Sequence, residues 1–242
     1  MTEEKKVEGV CLRSTEVGEG DRIITLLTDS CGKIAVKVRG VSSPKSRLRQ
    51  AAVPFAFGQY VLLEKNGYHS LKSFDFSDPF TQISDDLLRY YLGASALEIA
   101  DKLTEEDISV SRELARLLRF LMSICYDGGG VSAFIMYVLD FLKIAGYGMQ
   151  KGDYDGKLEA RFFVFDLEEG ALRLAESKPP YVFRLSPTAV RFLAAYLDGE
   201  EPDAEANVCC ELFSLFAQYI RYKTGSTVKS FFELSDLIKR AL

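Results

Sequence analysis

The 242-residue sequence has no tryptophan and a single histidine, His69. A His-based triad would need His69, with no motif around any serine to support it, and beside a turn it reads as a surface or hairpin residue. Five cysteines are present: Cys11, Cys31, Cys125, Cys209 and Cys210. Their number is odd and no CxxC pair occurs, which speaks against a disulfide framework or a four-cysteine zinc site and for free thiols in a reducing compartment. No apolar run approaches the ~20 residues of a membrane helix, and MTEEKKVEGV at the N-terminus lacks the apolar stretch of a signal peptide. A cytoplasmic protein is expected, with no membrane among its partners. The GxxxxGKS/T and GxGxxG phosphate loops and the GxSxG nucleophile elbow are all missing, so the common nucleotide-binding and hydrolase chemistries have no anchor. Glu16, Glu19 and Asp21 cluster as a metal site might, but a solvated loop between strands accounts for them; Asp153 and Asp155 lack the remaining ligands of a calcium loop. No catalytic residue, metal ligand or cofactor is assigned.

What the chain does have is charge in an unusual distribution. It carries 30 Lys and Arg against 35 Asp and Glu, yet residues 1–80 hold 12 basic and 10 acidic residues, while residues 81–242 are net −7. Within KIAVKVRGVSSPKSRLRQ lie Lys33, Lys37, Arg39, Lys45, Arg47 and Arg49 and no acid at all. Such a block in an acidic chain is either a solvated face or a surface for a polyanion.

Hydrophobic periodicity organises the rest. Val7–Ser14, Arg22–Thr28, Lys33–Arg39, Phe55–Leu63 and His69–Phe76 read as five strands, with Asn66-Gly67 as a tight hairpin turn. Five short strands with no strong helix between them indicate a small barrel such as an OB-fold. In KIAVKVR, Ile34, Val36 and Val38 alternate with Lys33, Ala35, Lys37 and Arg39, so the cations share the outer face, about 7 Å apart for each step of two residues. In FAFGQYVLL the same rule puts Phe55, Phe57, Val61 and Leu63 on one face and Tyr60 on the other, making Tyr60 a candidate base-stacking residue. After residue 80 the period becomes helical, in Leu88–Ile99, Leu114–Cys125, Val131–Ala145, a helix begun by Ser186-Pro187, Val208–Ile220 and Val228–Ala241. RFFVFDLEEGALRLA reads as a β-hairpin around Glu168-Glu169-Gly170. The expected fold is therefore α+β: an N-terminal five-stranded barrel, residues 1–80, and a mainly helical domain, residues 81–242, with a β insert at about 148–184. The boundary falls near Asp78-Pro79.

The run from EGVCLRSTEVGEGDRIITLLT through CGKI, Arg39-Gly40, PKSR and Pro54-Phe55 resembles the N-terminal domain of the bacterial DNA-repair RecO family; DKLTEE, FLKIAGYG, FFVFDLEEGALRLA and LSP extend the resemblance in order along the chain. The resemblance implies an OB-fold followed by a helical domain and a non-enzymatic recombination mediator of the RecFOR pathway. Family members bind single- and double-stranded DNA, anneal complementary strands, act with RecR and often RecF to help load RecA, and bind the C-terminal tail of single-strand-binding protein. It further implies DNA contact at Lys37, Arg39, Lys45, Arg47 and Arg49, to which the charge pattern adds Lys33, cytoplasmic residence with the nucleoid, and, in many members, a zinc held by two cysteine pairs around the β insert. Here Gln150–Lys157 and Leu174–Ser177 contain no cysteine, so a zinc-less insert is expected, held by packing of Phe162, Phe163, Phe165 and Leu172. The alternative is a protein-interaction scaffold of the repair machinery with weak or incidental DNA binding, suggested by the acidic helical region.

Overall fold

The computed structural model describes residues 3–43, 46–78, 80–106, 110–156, 162–177 and 179–241. Five strands, β1 (Glu3–Val17), β2 (Asp21–Thr28), β3 (Gly32–Val38), β4 (Phe57–Lys65) and β5 (Tyr68–Asp78), close into a barrel in the order β1-β2-β3-β5-β4. This is the OB-fold arrangement expected from the sequence. β1 is long enough to pair with β2 along one half and β4 along the other, which lets one strand belong to both sides of the barrel. β3 closes the ring against β5 in parallel, through only two residue pairs, Val36 with His69 and Lys37 with Ser70.

The interior is filled as the alternation of β3 dictates. Ile34, Val36 and Val38 point inward with Val7, Cys11, Ile24, Leu26, Leu62 and Leu71. A 3-10 helix, Arg47–Ala52, follows β3 and packs Leu48, Ala51 and Ala52 against this core. Burial keeps the Cys11 thiol protonated, with its pKa pushed up to about 12.

Closure of so small a barrel requires strands to coil tightly, and two glycines permit it. Gly9 of β1 and Gly58 of β4 are paired. A Cβ on Gly9 would sit 2.7 Å from the Leu27 carbonyl of β2, and one on Gly58 would sit 2.2 Å from the Asp75 carbonyl of β5. Neither carbonyl can yield without moving its strand.

The turn between β4 and β5 is the Asn66-Gly67 hairpin, with φ of 53° and 77° at the two central residues. Both values are positive, as a type I′ turn requires, and Asn-Gly is the pair that best tolerates them.

By its contacts the chain divides into two units, residues 1–127 and 128–242. Two helices therefore belong with the barrel. α1 (Leu87–Leu103) starts at Asp86, whose carboxylate accepts from the Arg89 backbone N–H at 2.8 Å, and packs against β1; α2 (Ser111–Tyr126) packs against α1 and β2. The expectation of a boundary at Asp78-Pro79 came from the change of hydrophobic period. That change marks where helices begin, and Pro79 itself lies outside the described residues.

In the second unit, α3 (Val131–Ile144), α4 (Pro187–Leu197), α5 (Ala206–Thr224) and α6 (Ser230–Ala241) surround an aromatic core in which Phe134, Phe213 and Phe231 meet with ring centroids 5.7–6.2 Å apart. α4 begins as its sequence indicates: the Ser186 hydroxyl accepts from the Ala189 N–H, and Pro187 occupies the first turn, where no N–H is needed. The β insert contains the expected hairpin, β6 (Phe163–Asp166) and β7 (Ala171–Leu174), turned at Gly170, and gains a third strand, β8 (Val182–Arg184), on the far side of β6.

The sequence of this insert contains no cysteine. Asp153 instead accepts from the Leu174 N–H at 3.3 Å and the Arg173 guanidinium at 3.2 Å, while Gly152 lies so close to β7 that a Cβ would meet the Leu172 carbonyl at 2.1 Å. Phe163, Phe165 and Leu172 are buried as expected, with Phe165 edge-on to Tyr219 of α5 at 5.3 Å. Phe162 is a correction: it stands 84% exposed, because it precedes β6 and has no alternation to turn it inward. Among the described residues no helix is long and apolar enough to cross a membrane.

The Gly9–Gly58 crossing is the point where a small change should damage the barrel most. Gly58→Ala is expected to lower stability by about 1–3 kcal/mol, read as a lower urea midpoint with an unchanged slope. An unchanged midpoint would show that the strands have room they do not have here.

Candidate nucleic-acid interface

β3 lies beside the β4–β5 hairpin, joined to it by two residue pairs. The space between forms a groove of about 820 Å³. It is lined by Ala35, Lys37 and Arg39 from β3 and its end, by Ile23, the cross-strand partner of Lys37 on β2, and by Lys65 and Tyr68 of the hairpin. Lys33 and the acid Glu106 also reach its edge.

The six expected cations fare differently. Lys33 donates to the Asp101 carbonyl at 2.5 Å, lies 3.8 Å from the same residue's carboxylate and is only 12% exposed. Arg13 reaches that carboxylate too, at 3.2 Å. Lys33 thus fastens the barrel to α1, and its charge is largely committed. Lys37 is more open. Its ammonium lies 3.1 Å from Asp21 on the barrel surface, where an ion pair is weak and readily exchanged for another anion. Arg39, just past the end of β3, is exposed. Lys45 lies outside the described residues. Arg47 and Arg49 are exposed on the 3-10 helix, on either side of the inward-turned Leu48; they do not line the groove.

Tyr60 is a correction. It is fully buried in the barrel, its ring 4.4 Å from Phe74 and its hydroxyl donating to the Ala56 carbonyl at 2.9 Å. Burial pushes its phenol far above the usual range. The parity was misassigned because both faces of β4 are apolar. Phe55, with φ of 72°, leaves the strand pattern to pack against Gly93 and Tyr90 of α1, and Phe57 lies 6.3 Å from Phe80 outside the barrel. Phe55 therefore packs on α1 and Phe57 on Phe80, while Gly58, Tyr60 and Leu62 face inward.

Asp21 organises the exit from β3. One carboxylate oxygen accepts from the Gly40 N–H at 3.0 Å and the other meets Lys37. Gly40 has φ of 63°, and the Ser42 N–H continues back to the Gly20 carbonyl, so the β1–β2 turn latches the loop that begins the basic segment. Glu16 pairs with Arg22 at 2.7 Å. Two of the three acids considered as metal ligands are thus engaged by cations or backbone. Among the described residues no group of three His, Cys, Asp or Glu is placed to hold a metal. His69, on β5, lies 3.6 Å from Glu64, which Lys5 also contacts at 2.6 Å, making it part of a hairpin ion cluster.

Sequence reading missed Lys65 and Tyr68. The signal was present in KNGY: a two-residue turn places its flanking residues at the tip of the hairpin, where they face away from a barrel closed elsewhere.

The Gly40 N–H and then Lys37 hold the Asp21 carboxyl below the ordinary range. Its folded-state pKa is thus lower than that of the unfolded chain, about 4. The resulting stability is full above that value and is lost as the pH falls through the folded-state pKa. The difference in melting temperature between wild type and Asp21→Ala should be largest near neutral pH and vanish in strong acid; a gap that persists in acid would place the effect elsewhere.

Comparison with known proteins adds a second line to the geometry. The family model described as "Recombination protein O N terminal" matches residues 1–80, the barrel itself. The protein named DNA repair protein RecO from Bacillus pumilus is 32% identical over 198 residues, 79% of this chain and 76% of that protein. Proteins of the same name from Exiguobacterium sibiricum and Bacillus subtilis are 39% and 36% identical over 103 and 101 residues, about two fifths of each chain. Barrel topology, the match over the barrel and a relative similar through both units converge, and the chain belongs to the RecO family.

Proposed function

We propose that this protein is a DNA-binding recombination mediator in DNA repair, and that residues 1–80, buttressed by α1 and α2, form its DNA-binding module. The observation that carries the reading is the gathering of Lys37, Arg39 and Lys65 around one groove of a chain whose net charge is −5. Lys45, Arg47 and Arg49 follow directly in the chain, and Arg47 and Arg49 are exposed on the 3-10 helix that follows β3. Backbone phosphates are the ligands such a surface fits, and phosphate contacts alone read no sequence. The names of the relatives supply the biological setting.

Annealing follows from the same physics. One cationic surface that neutralises two phosphate backbones lowers their mutual repulsion and lets complementary strands approach. Both single- and double-stranded DNA are ligands in this reading, the protein works in the cytoplasm with the nucleoid, and no bond-making step is asked of it. Handing single strands to RecA with RecR, and with RecF, and engaging the tail of single-strand-binding protein are the partner functions this mediator role entails. A second reading, a protein-interaction scaffold with incidental DNA binding, draws on the net −7 of residues 81–242.

A salt series separates the two. Changing Lys37, Arg39, Lys45, Arg47 and Arg49 together to Ala should weaken binding of a fluorescent single strand at low salt and flatten the logarithmic salt slope by up to about 3–4. Lys33 is left in place because it holds α1. Undiminished binding by a folded variant would move the DNA surface off the barrel. No binding by wild type, with retention of a protein partner, would favour the scaffold.

A further inference from the structure

Tyr68 has no structural employment. It is 81% exposed, the most exposed large apolar side chain described on the barrel strands, and no ring contact or hydrogen bond engages its side chain among the described residues. A tyrosine left in water usually has a reason when it faces a groove. Its position is also fixed: it directly follows the Asn66-Gly67 turn, paired across the hairpin with Lys65. An aromatic side chain with two torsions on a rigid turn loses little freedom on binding a flat ligand.

Chemistry alternates around the groove. Ile23, 38% exposed, is the cross-strand partner of Lys37, and the small Ala35 lies between Lys33 and Lys37, so an apolar floor runs beneath the cations. Cations for phosphates, an apolar floor and one free ring for a base are the components of a single-strand site. A duplex offers only its phosphates to such a groove, because its base faces are already stacked inside.

We propose that Tyr68 is the base-stacking platform of this groove and makes it select single-stranded over double-stranded DNA, with Lys37, Arg39 and Lys65 carrying the flanking phosphates. The proposal rests on the DNA-binding reading above. It gives the two ligand forms different footprints: the cations serve both, and the ring serves the single strand alone.

The test compares wild type, Tyr68→Ala and Tyr68→Phe as full chains, with an oligonucleotide and the duplex of the same sequence. Tyr68→Ala should lose about five- to a hundredfold in single-strand affinity, keep its duplex affinity and keep its salt slope, since no cation is removed. Tyr68→Phe should behave as wild type. A strand carrying a fluorescent base analogue should be quenched on binding wild type and not on binding Tyr68→Ala. Equal losses for both DNA forms, a changed salt slope, or unaltered single-strand binding and quenching in Tyr68→Ala would overturn the proposal while leaving DNA binding intact. Absence of single-strand binding by wild type itself would remove the DNA-binding reading. If Tyr68→Ala fails to fold, no quench on wild type or a loss in Tyr68→Phe still overturns the stacking role.

Discussion

The alternation of β3 is the constraint on which the rest depends. Ile34, Val36 and Val38 must enter the barrel, because five short strands have no other way to assemble a core of this size. The intervening residues are then forced outward as one row, and here they are Lys33, Ala35 and Lys37, with Arg39 just beyond. A one-residue slip would bury Lys33 and Lys37 and expose the three apolar residues, so register and charge display are the same fact. The Gly9–Gly58 crossing supports that register from the opposite side of the barrel, where the strands approach too closely for any side chain.

Displaying cations is not the same as making them available. Lys33 shows the difference: it is on the correct face but is spent on Asp101, with little exposure left. Lys37 has an acid partner as well, but an exposed one, and Asp21 is already held by the Gly40 N–H. A phosphate arriving at Lys37 displaces a weak surface pair without leaving a buried charge behind. Short closure of the barrel adds the shape. β3 and β5 share two pairs, and the groove bordered by β3 and the β4–β5 hairpin is lined by Lys37, Arg39, Lys65 and the ring of Tyr68.

Much of this was legible in the sequence, for identifiable reasons. The strands, the Asn66-Gly67 turn and the Ser186-Pro187 helix start rest on local chemistry, and local chemistry prevailed. The outer row on β3 was equally plain because that strand alternates cleanly. Tyr60 was misread because β4 is apolar on both faces: α1 covers Phe55 and Phe80 lies against Phe57 outside the barrel, and a covered outer face looks like a core face in sequence. Lys33 looked like a ligand contact because its acceptor, Asp101, is distant in the chain. Tyr68 was overlooked because a residue beside a turn has no periodic partner to mark it. Phe162 erred the other way, an aromatic next to a strand but outside its alternation.

Loss of binding in a charge-removal variant has many causes, whereas gain has few, so the most direct measurement adds affinity. Asp21→Asn keeps an acceptor for the Gly40 N–H but removes the negative charge facing Lys37 and near Arg39. If β3's outer row tracks phosphates, this variant should bind single-stranded DNA more tightly at low salt, with a logarithmic salt slope steeper by up to about 1. Unchanged or weaker binding by a folded Asp21→Asn protein, with no steeper slope, would contradict the assignment of this face to DNA.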